Sequence, residues 1–116
     1  MSEDRELIIS VSGYRDFYDY EYVCSVLSQY KITEIHVGDC RGTDDLVRRY
    51  AEEHNIKCNV FYADWSKGVA AGAIRNRELI KNTNLLVAFL SDKSKGTKSA
   101  IQIAQKLKIP VKIYEI

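Results

Sequence analysis

The stretch SVSGYRDFYDY (10–20) joins the end of an apolar run to a glycine, then to a cluster of charged and aromatic side chains. A tight turn needs only the glycine. Tyr14, Arg15 and Asp16 directly behind it are more than a turn requires, and they suggest that something is held there. Upstream, LIISV (7–11) reads as a buried strand. A buried strand that ends on a glycine below exposed charge raises the question of whether strands and helices alternate through the rest of the chain.

They do. Tyr22, Val23, Val26, Leu27 and Tyr30 recur at three- and four-residue spacing, which places them on one helix face. EIHVG (34–38) is a short second strand. Leu46, Val47, Tyr50 and Ala51 again have helical spacing, with Thr43 as the expected N-cap and Asp44 and Asp45 in the first turn. CNVFY (58–62) is the third strand, and a glycine-bearing connection leads to a helix over 70–81. LLVAFL (85–90) is the fourth strand. Thr97 is expected to cap a helix whose Ala100, Ile101, Ala104 and Leu107 face inward, and Pro110 opens the last strand, VKIYEI (111–116).

Such alternation implies an α/β fold: a three-layer αβα sandwich on a five-stranded parallel sheet, in one domain over 1–116. The first and fourth strands are continuous apolar runs, as central strands should be. The third and fifth carry polar residues (Asn59, Lys112), as edges do. Right-handed crossovers then favour the order 3-2-1-4-5. The chain reverses direction between strands 1 and 4, and ligands of open α/β sheets bind at such a point, beyond the strand carboxyl ends.

Composition excludes several classes. The chain of 116 residues is 46% hydrophobic and 28% charged, an ordinary globular balance. Its net charge of +1 argues against a dedicated nucleic-acid binder. Cys24, Cys40 and Cys58 are odd in number and widely spaced, which suggests reduced thiols rather than a disulfide frame or a zinc site. The N-terminal MSEDRELIIS is acidic with a short apolar run, unlike a signal peptide, and no stretch is long enough to span a membrane. A cytoplasmic protein with no metal or cofactor is expected, in the producing cell or, if phage-encoded, in the host.

All six glycines fall in SGYRDF, VGDCRGTDDL, ADWSKGVAAGAIRNRE and LSDKSKGTKSA, the connections after strands 1 to 4. The opposite connections contain none. Glycines let backbone N–H groups approach a ligand, and the helix N-termini that follow favour anions. Between Asp64 and Lys98 seven Lys or Arg stand against three acids, so the neutral total hides a basic rim. Taken singly, GTDD and KGTKS are turns that start helices, and IRNRE is a solvated helix face. Four such signals on one edge favour a binding site. On spacing alone Asp16, Asp39, Asp44 and Asp64 are general bases, ribose acceptors, or turn and cap residues. Trp65 is a rim anchor or a stacking platform, His36 and His54 are structural, and Cys40 has no histidine to activate it. Arg48, on the second helix, lies away from the loops.

Together SGYRDF, GDCRGTDDLVRRYAEEHNI, FYADWSKGVAAGAIRN and AFLSDKSKGTKSAIQIAQ resemble the SLOG superfamily, in particular its YAcAr-like branch. The resemblance implies a Rossmann-like nucleotide-binding domain related to the LOG phosphoribohydrolases and the DprA DNA-processing proteins. It puts Gly13 and Arg15 in a first phosphate-facing loop and Gly38, Asp39, Gly42, Thr43 and Asp44 in a second. Arg75 and Asn76 match a basic pair on the third helix, and Gly96 and Thr97 a glycine loop before the fourth. Arg41 and Ser91 complete the candidate set. LOG enzymes carry P-G-G-x-G-T with a glutamate soon after, whereas Lys98 and Ser99 follow Thr97 here. The expectation is therefore a binding module, a sensor or sponge for a nucleotide or ADP-ribose-like signal. Arg15, Arg75 and Lys95 would neutralise phosphate, Asp39 or Asp44 would accept ribose hydroxyls, and Tyr14 or Trp65 would stack on the base. The alternatives are an N-glycosidase acting on nucleoside monophosphates, with Asp39, Asp64 or Glu78 as substitute carboxylates, and single-stranded nucleic-acid binding. A homodimer is compatible with the resemblance.

Overall fold

A computed structural model describes residues 7–116; the acidic segment 1–6 lies outside them. Five strands, β1 (Leu7–Gly13), β2 (Ile32–Gly38), β3 (Lys57–Phe61), β4 (Leu85–Leu90) and β5 (Val111–Glu115), alternate with α1 (Tyr20–Leu27), α2 (Thr43–Glu53), α3 (Ala71–Ile80) and α4 (Lys95–Lys106). All neighbouring strands pair in parallel, in the order β3-β2-β1-β4-β5. The expected Rossmann-like α/β sandwich and its strand order are both present.

Period-two alternation along each strand feeds two cores. Ile9, Val11, Ile35, Val37, Val87 and Phe89 pack with Val23, Val26 and Leu27 of α1 and Val47, Tyr50 and Ala51 of α2. The other face of the sheet sends Leu86 and Ala88 against Leu79 and Ile80 of α3 and Ala100, Ile101 and Ala104 of α4. Ser10, on that second face, is fully buried and shares a hydrogen bond with Thr83 Oγ1 at 3.1 Å, so its hydroxyl is not stranded. No helix among the described residues is long and apolar enough to cross a membrane.

Two cap expectations are corrected. Thr43 is the first residue of α2, not its cap; Gly42 holds that place with φ 74°. The Thr43 hydroxyl instead donates to the Tyr14 carbonyl at 2.8 Å, which takes it away from its own helix. Ser94 occupies the cap position of α4, and Thr97 sits buried inside the first turn. At α2 a tertiary contact draws off the one hydroxyl at hand, and at α4 several hydroxyls lie close together in the sequence. Tyr30 lies beyond α1 but still packs on the core, its hydroxyl 2.6 Å from that of Tyr114. A 3-10 segment, Trp65–Ala70, precedes α3, with Gly68 breaking it at φ 70°.

At the opposite edge of the sheet the chain turns without glycine. Asn55, Asn82 and Lys108 adopt φ of 55°, 69° and 60°. After α2 the Ile56 N–H reaches the Ala51 carbonyl and the Asn55 N–H that of Glu52; after α4 Ile109 and Lys108 repeat the pattern with Ala104 and Gln105. These are Schellman closures, which satisfy the last carbonyls of each helix.

Candidate functional site

The β1 loop is fixed by its backbone. The Tyr14 N–H donates to the Phe89 carbonyl at 3.2 Å, tying the loop to β4, and the Tyr14 carbonyl accepts from the Thr43 N–H at 3.3 Å. Glycine is needed at two places in this joint. A Cβ on Gly13 would fall 2.4 Å from Thr43 Cγ2, and one on Gly42 would fall 2.1 Å from the Arg15 carbonyl oxygen. Loops one and two are thus packed glycine to backbone. Gly42 and Thr43 build this joint and do not line the cavity it borders.

Above the end of β2, a Cβ on Gly38 would lie 2.8 Å from both Arg75 Nη1 and Asp44 Oδ2. The missing side chain lets a guanidinium from α3 and a carboxylate from α2 meet over the strand. Arg75, only 10% exposed, donates from Nη1 to Asp39 at 3.0 Å and from Nε to the Asn76 side chain at 3.1 Å. Asp44 is buried and accepts the Cys40 N–H at 3.1 Å. Burial pushes its carboxyl up to about 6, against the opposing pull of the Cys40 N–H, Arg75 and Arg48 and with a small push from Asp39. Arg48 is not remote from the loops, as its position on α2 suggests. It donates to the Gly38 carbonyl at 2.8 Å and the Cys40 carbonyl at 3.4 Å, and pairs with Asp45.

The fourth loop forms the other wall. Ser94 Oγ accepts from the Ser91 N–H at 3.0 Å and leaves the first amides of α4 without a side-chain cap. Ser91 is buried in this turn, outside the cavity. Asn76 Nδ2 donates to the Gly96 carbonyl at 3.4 Å, joining α3 to the start of α4. Lys93 and Lys95 are exposed and, like Arg15, make no ion pair among the described residues.

These elements enclose a cavity of about 420 Å³ at the carboxyl ends of β1, β2 and β4. Of the candidate residues it is lined by Gly13, Tyr14, Arg15, Gly38, Asp44, Trp65, Arg75, Asn76, Lys95, Gly96 and Thr97. Arg15, Arg75, Lys93 and Lys95 supply four cations, and Asp44 is its one acidic lining residue among those described. Trp65 and Val69 stand at the rim, 65% and 104% exposed. Asp39 braces Arg75 from outside, and Arg41 is turned away in a pair with Asp16 at 2.7 Å. Asp64 caps the 3-10 segment through the Ser66 N–H and hydroxyl, and Glu78 pairs with Lys81. Both line a neighbouring hollow of about 220 Å³ rather than the main cavity. Sequence reading passed over Lys93 and Cys40 as lining residues; Lys93 lies within the glycine-bearing loop, where its charge was the available signal.

A family model described as YspA, cpYpsA-related SLOG family matches residues 7–68, just over half the chain. The chain belongs to this SLOG family. It is also 35% identical over 91 residues to the Gene 61 protein of Mycobacterium phage D29, an alignment covering 72% of each chain. No solved structure gives a significant match. The matched segment of this SLOG chain contains the first two loops, with Asp44 and the whole of α2; Arg75 and the α4 loop lie beyond it.

Proposed function

We propose that this SLOG protein binds a phosphate-bearing nucleotide or nucleotide-derived signal in the cavity over β1 and β4. The observation that carries this reading is the open start of α4, where amides without a side-chain cap lie beside Lys93 and Lys95, cations with no ion pair among the described residues, and share the cavity with Arg15. Backbone N–H groups, a helix dipole and mobile cations make a phosphate subsite. Arg75, braced by Asp39 and Asn76, presents its remaining N–H donors in fixed orientation, as a phosphate or carboxylate fork needs. Trp65 at the rim offers an apolar face to a base. The cavity is of the size that takes small ligands.

Calorimetric titration of nucleotides and ADP-ribose derivatives tests the reading. At least one should bind, and its dephosphorylated nucleoside should bind about tenfold more weakly or worse, since charge-assisted hydrogen bonds contribute about 1.5–3 kcal/mol each. Equal affinities for the pair would remove the phosphate assignment. One observation favours the hydrolase alternative: Asp44 places in the cavity a carboxyl that burial pushes up to about 6, where the sequence offered none after Thr97. Chromatography of a bound nucleoside monophosphate after prolonged incubation decides it. Intact recovery supports the binding module, and free base supports hydrolysis.

A further inference from the structure

The cavity is uneven in charge, and its one buried acid is only half used. Asp44 is 6% exposed, and its Oδ2 takes the Cys40 N–H, while no hydrogen bond among the described residues reaches Oδ1. The only fully enclosed side-chain polar atom without a partner among those residues is His36 Nδ1, so Oδ1 keeps contact with the cavity. A buried carboxylate oxygen with spare acceptor capacity requires a donor, because such a group left unsatisfied is costly. Asp39, the other carboxylate near this wall, already receives Arg75. A phosphate is no partner for the ionised Asp44, since like charges in a partly desolvated site repel. Neutral donors, hydroxyl groups, can.

Resting on the nucleotide reading above, we propose that Asp44 is the specificity-determining acceptor of the cavity, selecting phosphate esters whose sugar presents free vicinal hydroxyls to Oδ1. Acceptor and cations line the same cavity. Arg75 meets Asp44 over Gly38, while Asn76, the next residue of α3, reaches the carbonyl of Gly96 at the anion end. Arg75 Nε also donates to the Asn76 side chain at 3.1 Å, so one continuous pair of side chains links Asp44 to the anion end of the same cavity. The ligand class is then ribonucleotides and ribose phosphates, with deoxy sugars rejected.

The groups facing Asp44 are Arg75 from α3, Arg48 from its own helix, and Asp39 and the Cys40 N–H from the loop after β2. Only the ionised carboxylate accepts fully, so hydroxyl recognition should weaken as pH falls through about 6. A phosphate monoester titrates in the same range, and comparing pairs with the same phosphate cancels that effect.

The test is calorimetry of the four ribonucleoside 5′-monophosphates against their 2′,3′-dideoxy counterparts, on wild type and Asp44→Asn, between about pH 5 and about pH 7.5. On wild type the best ribonucleotide should exceed its dideoxy partner by about tenfold or more at the upper pH, with the ratio shrinking at the lower. Asp44→Asn should reduce the ratio to about threefold or less and remove its pH dependence, while the dideoxy compound binds as before. Equal affinities of the pair on wild type overturn the proposal and leave phosphate binding standing. A large ratio that Asp44→Asn does not change assigns the hydroxyl readout to another residue, and overturns it too. If neither member of any pair binds, the nucleotide reading itself fails. Should Asp44→Asn not fold, the wild-type pH dependence still decides: a large ratio that does not shrink as pH falls through about 6 overturns the assignment to Asp44.

Discussion

Arg75 and Arg48 show how little residue type says about role. Both are arginines on helices, and Arg75 was legible because it follows a glycine in AGAIRN, a pattern with a ligand chemistry. Arg48 carried no such mark, because its bonds to the Gly38 and Cys40 carbonyls depend on how far the β2 loop folds back over α2. Arg75→Lys should reduce nucleotide affinity about tenfold, since one ammonium cannot keep both Asp39 and Asn76 and still present a fork. Arg48→Ala should lower stability by about 1–3 kcal/mol in chemical denaturation, because it strips donors from part-buried carbonyls. Arg77→Ala, on the exposed side of α3, should stay within about 0.5 kcal/mol of wild type. Asp44 gives the third residue-scale prediction. Its folded-state pKa of about 6 lies above the unfolded value, so the native chain binds the proton more tightly. Stability contributed by this carboxyl is therefore present at low pH and lost as pH rises through about 6. The ligand-free protein should gain on the order of 2–3 kcal/mol from Asp44 between about pH 7.5 and about pH 4. Below the ordinary carboxylate range Glu34, held down chiefly by its His36 hydrogen bond, acts in the opposite sense. Thermal melts of wild type and Asp44→Asn across that range measure the difference, and parallel curves for the two would refute it.

Among the elements, helix and strand periodicity carried nearly everything: every strand and helix was legible, with ends displaced by up to three residues. What periodicity left open was how each helix begins, and beginnings define this cavity. Neither α2 nor α4 has a side-chain cap, because tertiary and turn contacts take the hydroxyls nearest their starts. Thr43 is spent on Tyr14, and Ser94 on Ser91. The 3-10 segment was equally hidden, because the short stretch Trp65–Ala70, kinked at Gly68, has no face to repeat. Two glycine substitutions separate architecture from site. Gly42→Ala combines a positive φ with a Cβ 2.1 Å from the Arg15 carbonyl oxygen, and should disrupt the joint between the first two loops. Gly96→Ala meets nothing within 4 Å and lies inside α4, so it should leave the melting temperature unchanged or raise it. Circular dichroism melts of the two variants check both outcomes.

On the scale of the whole molecule, the sheet order followed from two facts visible in the chain: which strands are apolar throughout, and that crossovers are right-handed. The grouping of glycines at one end was also visible, and the structure gathers eleven of the candidate residues round one cavity there. The other end of the sheet was silent in the sequence, since Lys108 carries no turn signal at all. Yet Asn55, Asn82 and Lys108 hold the left-handed backbone that closes or follows α2, α3 and α4. Lys108 is the costliest of these, because a long side chain gains nothing there that Asn can recover by local hydrogen bonding. Lys108→Gly should stabilise the protein by roughly 0.5–1 kcal/mol in denaturant titration, with nucleotide affinity unaltered. The division of labour between the two ends has a practical meaning for evolution and engineering alike. Turn chemistry at the floor of the fold can be improved without touching the cavity, whereas a change at its roof, as at Gly42, Asp44 or Arg48, alters stability as well.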